Sequence, residues 1–275
     1  MDYITSSEKT TPSNSRVTSK GVFISLCDLT GIMAAPWVAA GYEAILVDPQ
    51  HPEGITVEGR VTKIGHIIDH PATWSVLHRA LAGGRAVFVA GFPPCTDLAV
   101  SGARWFEAKA VDDPAFQFKA MHVVWQCHVV AEMMGVPYFI ENPVSRISTF
   151  WRKRDHFFHP YQFTGLAPGD NYTKETCLWA GGGFTMPAAD VAEDVQAAID
   201  AVVDEFGRMV PKRKAVERFP GSRLISDSYP DNRIHDCPPG DERANTRSAT
   251  PEGFARAVFL ANAPHLRTSL DDLVG

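Results

Sequence analysis

A series of short apolar runs, each ending at a polar or turn-forming residue, constrains this chain more than any other feature. GVFISLCD closes at Asp28, Glu43 to Val47 closes at Asp48, Val87 to Ala90 stops at Gly91 and the Pro93-Pro94 pair, and VPYFIEN carries Glu141 and Asn142 up to Pro143. Runs rich in β-branched and aromatic residues and bounded by breakers read as buried strands. Between them lie stretches of helical spacing: Ile32 to Ala40, residues 71–82 with Trp74, Val76, Leu77 and Leu81 on the apolar side, and residues 114–134 with Phe118, Met121, Val124, Trp125, His128 and Val129 as the stripe. Strands alternating with helices predict an α/β domain on an open sheet, whose chemistry sits beyond the carboxyl ends of the strands. Cys95 falls in such a place, on a loop whose approach the two prolines restrict. A free cysteine is more often a small buried hydrophobe, and loop position is what favours a nucleophile here. A carboxyl group delivered by a neighbouring strand end, Glu141, suits thiolate attack on an electron-poor ring, the acid stabilising charge on a ring nitrogen.

At this point two motifs carry a resemblance. Pro93-Pro94-Cys95 followed by Ser101-Gly102, then Glu141-Asn142-Pro143, is similar to the catalytic loop and glutamate motif of the cytosine-5 DNA methyltransferases, and most of residues 21–262 resembles the short members of that family encoded by phages. The resemblance implies a Rossmann-like, S-adenosylmethionine-dependent methyltransferase sheet with helices on both faces and a reduced target-recognition region. It implies Cys95 and Glu141 as catalytic residues. It implies cofactor contacts from Asp28, Leu29, Gly31, Asp48, Asp69 and Pro93, with Asp28 and Gly31 near the methionine, Asp48 at the ribose and Asp69 near the adenine. Substrate contacts would come from Pro94, Ser101, Arg104, Asn142 and Lys174. The chain departs from the family in having one glycine after Asp28-Leu29, and in lacking the Gln-x-Arg-x-Arg motif whose arginine touches the flipped cytosine; Lys174 is the nearest substitute.

The cofactor half also has a reading of its own. Strand, Gly31 turn and helix let a ligand approach backbone amides, and an acidic residue about twenty positions on, here Asp48, commonly accepts hydrogen bonds from ribose hydroxyls. A solvated aspartate closing a strand is the competing reading. His66 and His70 flank Asp69 at i, i+4 spacing, but no third ligand accompanies them and no metal site is expected.

Domain organisation follows from length and composition. With 275 residues there is room for one sizeable α/β domain with an appendage. Residues 1–19 read as a disordered tail, 20–182 as the catalytic core, 183–230 as a reduced recognition region or insertion, and 231–275 as a segment completing the core. Charge is mildly acidic, 26 basic against 32 acidic residues, so any contact with a polyanion must be local. Five cysteines without CxxC spacing argue for a reducing cytoplasm, the host's if the chain is phage-encoded, and no apolar run approaches a membrane span.

The C-terminal half supplies basic candidates. Trp151-Arg152-Lys153-Arg154 through Phe157, Phe158 and His159 interleaves cations with aromatics, as a nucleic-acid surface does and as many surface loops do. Tyr172 to Trp179 reads as a further strand. Residues 188–206 form an amphipathic helix with Val191, Val195, Ile199, Val202 and Phe206 inward and an acidic outer face. The following Arg208, Lys212, Arg213, Lys214, Arg218 and Arg223 would either face DNA or pair internally. Thr250 reads as a helix cap with Pro251 at the first helical position, ahead of a Phe254, Val258, Ala261 stripe. His235 and Cys237, beside Pro238-Pro239, are a weak second nucleophile.

Three functions stay open on these grounds. The first is methylation of cytosine carbon 5 in DNA, duplex or single-stranded, with the base flipped out of any stack. The second is methylation of a free cytosine nucleotide, at carbon 5 or the exocyclic amine. The third is a non-catalytic binding module.

Overall fold

The computed structural model describes residues 19–204, 206–236 and 247–266; most of the expected N-terminal tail, Cys237 and the side chain of His235 lie outside the described residues. Strand β1 (Val22–Leu26) is buried throughout, with Val22, Ile24 and Leu26 on one face and Phe23 on the other, as a central parallel strand requires. Parallel neighbours flank it: β2 (Glu43–Val47) then β4 (Val61–Gly65) on one side, β5 (Ala86–Gly91) then β6 (Tyr138–Pro143) on the other. Three strands joined by antiparallel pairings, β3 (Gly54–Glu58), β7 (His156–Phe158) and β8 (Thr176–Gly181), complete the order β3-β4-β2-β1-β5-β6-β8-β7. The fold is therefore mixed α/β with an eight-stranded, mostly parallel sheet, compatible with a Rossmann-like arrangement. The chain runs outward from β1 to β4 and then crosses back to β5, so the strand order reverses between β1 and β5.

Helices among the described residues include α1 (Ala35–Ala39), α2 (Pro71–Ala82), α3 (Phe106–Asp112), α4 (Phe116–Met134), α5 (Ile147–Phe150), α6 (Glu193–Asp200), α7 (Lys212–Arg218), α8 (Arg233–Asp236) and α9 (Glu252–Asn262). One sheet face packs on α2 and α4 through Val76, Leu77, Met121, Val124 and Cys127. The other packs on α1 and α9, where Trp37, Phe88, Phe139 and Phe254 form an aromatic core. Residues from α6 and α7, with Ile225 and Tyr229, make a separate small cluster, so part of 183–230 is a helical satellite. No helix among the described residues is long and apolar enough to cross a membrane.

Several elements differ from expectation. α1 starts at Ala35 because Gly31, at φ 69°, turns the chain and its carbonyl accepts from the Ala34 and Ala35 amides. α4 buries Met121 and Val124 of the expected stripe, but Phe118 and Val129 are exposed, and Cys127, Val130, Ala131 and Met134 complete the buried face instead. α6 ends at Asp200, leaving Phe206 outside it and exposed. The last strand begins at Thr176, and Tyr172 makes an isolated bridge to Asp231 instead. Thr250 does not cap α9. Pro251 holds the cap position without a side-chain bond, and Asp170, distant in sequence, accepts from the Gly253 amide at 2.7 Å. A Cβ on Gly253 would lie 2.4 Å from the Phe163 carbonyl oxygen, so glycine is what lets α9 dock there.

Candidate active site

β5 ends at Gly91, opposite Leu26 of β1 and Ile140 of β6, and the next residues leave the sheet. Pro93 is buried, and its carbonyl accepts from Asn142 Nδ2 at 2.9 Å. The Cys95 carbonyl then accepts from the Leu98 and Ala99 amides, turning the chain back. The turn is tied to the segment after β6, for Val100 donates to the Val144 carbonyl at 3.0 Å and Arg146 to the Leu98 carbonyl at 2.9 Å. The thiol loop and the Glu141 strand are thus joined by main-chain bonds and one buried amide, which fixes their relation without requiring contact between the two side chains.

Glu141 is in β6, paired across the sheet with Leu178 of β8. Lys174, just before β8, is buried with its Nζ 3.9 Å from Glu141 Oε1. Oε1 is buried and has no hydrogen-bond partner among the described residues, and neither has Asn142 Oδ1. A buried polar atom without a partner is costly and marks a place where a ligand or water supplies the missing donor. A cavity of about 10 Å³ adjoins Glu141, lined by Phe92, Phe158, Lys174, Thr250 and Phe254 among others. It has room for about one water, so a pyrimidine ring enters only if a lining side chain moves.

Charge around the thiol is divided. Burial and then the Glu141 carboxylate push the Cys95 pKa up, while Lys174 and Arg247 pull it down and are outweighed. Burial also raises the Glu141 pKa against the opposing pull of Lys174. Neither shift is the lowering that favours a resting thiolate: the surroundings push both the Cys95 thiol and the Glu141 carboxyl towards their neutral forms. A protonated carboxyl can donate to a ring nitrogen, and the carboxylate left behind has a buried ammonium beside it.

The cofactor-side residues divide in the same way. Asp28 is buried and its oxygens accept from Ser25 Oγ, Thr30 N and Oγ1, and Gly31 N, so its carboxylate builds the turn. Its carbonyl meets His51 Nε2 at 3.1 Å, a buried contact that nothing in the sequence signalled. Asp48 accepts from the Gln50 amide through Oδ1, leaving Oδ2 without a partner among the described residues. Asp69 is exposed beyond β4. Asp48 and Asp69 follow adjacent parallel strands at the carboxyl edge and fit a cofactor with ribose hydroxyls and an amine; Asp28 fits as their support rather than as a contact. At Gly31 a Cβ would lie 2.9 Å from Cδ1 of the buried Leu46, so glycine there serves the packing of the turn against β2. His70 caps α2 through Nδ1, accepting from the Ala72 amide, and His66 stacks on it.

The structure therefore brings Cys95, Glu141, Asn142, Pro93 and Lys174 into one cluster. Pro94, Ser101 and Arg104 are exposed beyond it. Arg247 was missed, although it opens the Arg-Ser-x-Thr-Pro-x-Gly-Phe stretch; its distance along the chain hid its position. The basic patch at 151–159 is largely committed inward: Arg152 bonds Asp155 and the Ala180 carbonyl, Arg154 bonds Glu175 and Cys177, and Phe158 is buried. Part of the 208–223 segment pairs internally, Arg208 with Asp204 and Arg213 with Glu217. No protein-family model matches the chain, and no curated protein does.

Proposed function

We propose that the protein is an S-adenosylmethionine-dependent methyltransferase acting on carbon 5 of cytosine in DNA. The observation that carries this reading is the buried, unpartnered Glu141 Oε1 beside Lys174 and within electrostatic reach of the Cys95 thiol. Carbon 5 of cytosine is a weak nucleophile until a thiolate adds to carbon 6. Cys95 gives up its proton to solvent and forms the sulfur–carbon 6 bond. The ring electrons move to nitrogen 3, which takes the Glu141 proton, and Lys174 stabilises the resulting carboxylate. Because the Glu141 charge is one of the influences holding the thiol protonated, a neutral Glu141 bonded to the base also favours thiolate formation. S-adenosylmethionine, held near Asp48 and Asp69, would supply the methyl group taken by carbon 5. Loss of the carbon 5 proton to a base then breaks the sulfur–carbon bond, and nitrogen 3 returns its proton to Glu141.

The net charge of −6 favours a free cytosine nucleotide as the alternative substrate. Incubation with methyl-labelled S-adenosylmethionine, offering duplex DNA, single-stranded DNA and deoxycytidine nucleotides separately, tests both. Nucleoside mass spectrometry should find 5-methylcytosine from DNA, abolished in Cys95→Ala. Label confined to nucleotides or to the exocyclic amine supports the alternative, and absence of label with no cofactor binding leaves a non-catalytic module.

A further inference from the structure

The rim of the Cys95 loop carries two exposed aromatic residues, each under a cation. The backbone bonds joining 98–100 to 144–146, with the Ala99–Ser145 bridge, tie the start of the 3-10 helix Val100–Trp105 to the segment that leads into α5. Arg104 lies over the Trp105 ring, 5.0 Å from its centroid, and Arg146 lies 5.8 Å from that of Phe150. Trp105 is 56% exposed and Phe150 43%, and Val100, which opens the 3-10 helix, is also exposed. Neither arginine has a carboxylate partner among the described residues, unlike Arg152, Arg154, Arg208 and Arg213. Two cation–aromatic pairs without a carboxylate partner among the described residues thus lie on the two segments that these bonds join, on a molecule whose net charge is negative.

We infer that this rim binds an unpaired nucleic-acid strand, with bases stacking on Trp105 and Phe150 and phosphates meeting Arg104 and Arg146; the inference rests on the reading of Cys95 as acting on cytosine in DNA. Aromatic rings paired with cations suit a strand whose base faces are open, because stacking is sequence-tolerant and the guanidinium meets the backbone. A duplex keeps its base faces stacked inside and gives these rings nothing to lie on. Single-stranded DNA is therefore the preferred form, and a free nucleotide, with one base and one phosphate, gains little from two platforms.

The test is fluorescence anisotropy with the whole protein, without cofactor, and a fluorescein-labelled single-stranded DNA oligonucleotide, its duplex and deoxycytidine monophosphate as competitors. The single strand should compete best. Trp105→Ala should weaken it about tenfold, with Trp105→Phe restoring most of the loss. The double variant Arg104→Ala/Arg146→Ala should make the salt dependence shallower by about 1.4 in log–log slope, as two lost phosphate contacts require. Lys212→Ala/Lys214→Ala should bind as the unaltered protein does, and melting temperatures identify any variant that fails to fold. Unchanged binding in the rim variants, preference for the duplex, or loss of binding in the lysine variant overturns the inference. Because no methyl transfer is measured, the two readings fail separately: binding without methylation removes the proposed reaction alone, and methylation of a strand by rim variants that bind normally removes this surface alone.

Discussion

Glu141 keeps an oxygen inside the protein without a donor among the described residues, and burial, outweighing the Lys174 ammonium, pushes its pKa up. Glu141→Gln, which mimics the protonated carboxyl, is accordingly expected to stabilise the resting protein at pH 8, because the burial cost of the charge outweighs its attraction to Lys174. The sign follows from linkage: a carboxyl whose folded pKa is raised destabilises the fold above that pKa, and the penalty vanishes below the unfolded value. Melts should therefore show the gain at pH 8 and lose it as the pH falls through the carboxylate range. The same residue affects the thiol. Removing the carboxylate should speed iodoacetamide modification of Cys95 at pH 8 several-fold, and Lys174→Met should slow it, since that cation lowers the thiol pKa; peptide mapping separates Cys95 from the buried Cys127 and Cys177. Cys95 and Glu141 were legible in the sequence because each follows an apolar run closed by proline. The energetic balance between them was not, because it depends on burial and on Lys174 and Arg247, which lie elsewhere along the chain.

At the scale of elements, α9 illustrates how a local rule loses to a distant partner. Thr250-Pro251 reads as a cap and first turn, yet the amide that needs a partner finds Asp170. Asp170→Ala should cost about 1–2 kcal/mol, while Thr250→Ala should cost far less; paired urea melts measure the contrast. Gly253→Ala should destabilise by about 1–3 kcal/mol, because the added Cβ meets backbone rather than a movable side chain. The buried strands were legible from composition, for β1, β2, β5 and β6 are apolar and flanked by breakers. The β3–β4 hairpin escapes the pattern of buried runs, since β3 lies at the sheet edge and its alternating apolar pair, Ile55 and Val57, is exposed. α4 was recognised but its buried face only in part: its apolar residues occur around the whole helix, so spacing alone does not say which side meets the sheet.

For the whole molecule, sheet order does what no single motif does. It sets the ends of β4, β2, β1, β5 and β6 along one edge, so Asp69, Asp48, Asp28, Cys95 and Glu141 follow one another across it although they span much of the chain. The turn-building role of Asp28 and the placement of Lys174 before β8 emerge only with that topology. The central claim is that Cys95 forms a covalent bond to carbon 6 of cytosine, and one measurement addresses it directly. An oligonucleotide carrying 5-fluorocytosine, incubated with the protein and S-adenosylmethionine, offers a ring from which no proton can be removed after methylation, so the sulfur–carbon bond cannot break. Intact-mass analysis should find protein plus methylated oligonucleotide, with digestion placing the link on Cys95 and no adduct in Cys95→Ala. Binding of both ligands without an adduct, or an adduct on another cysteine, contradicts the account.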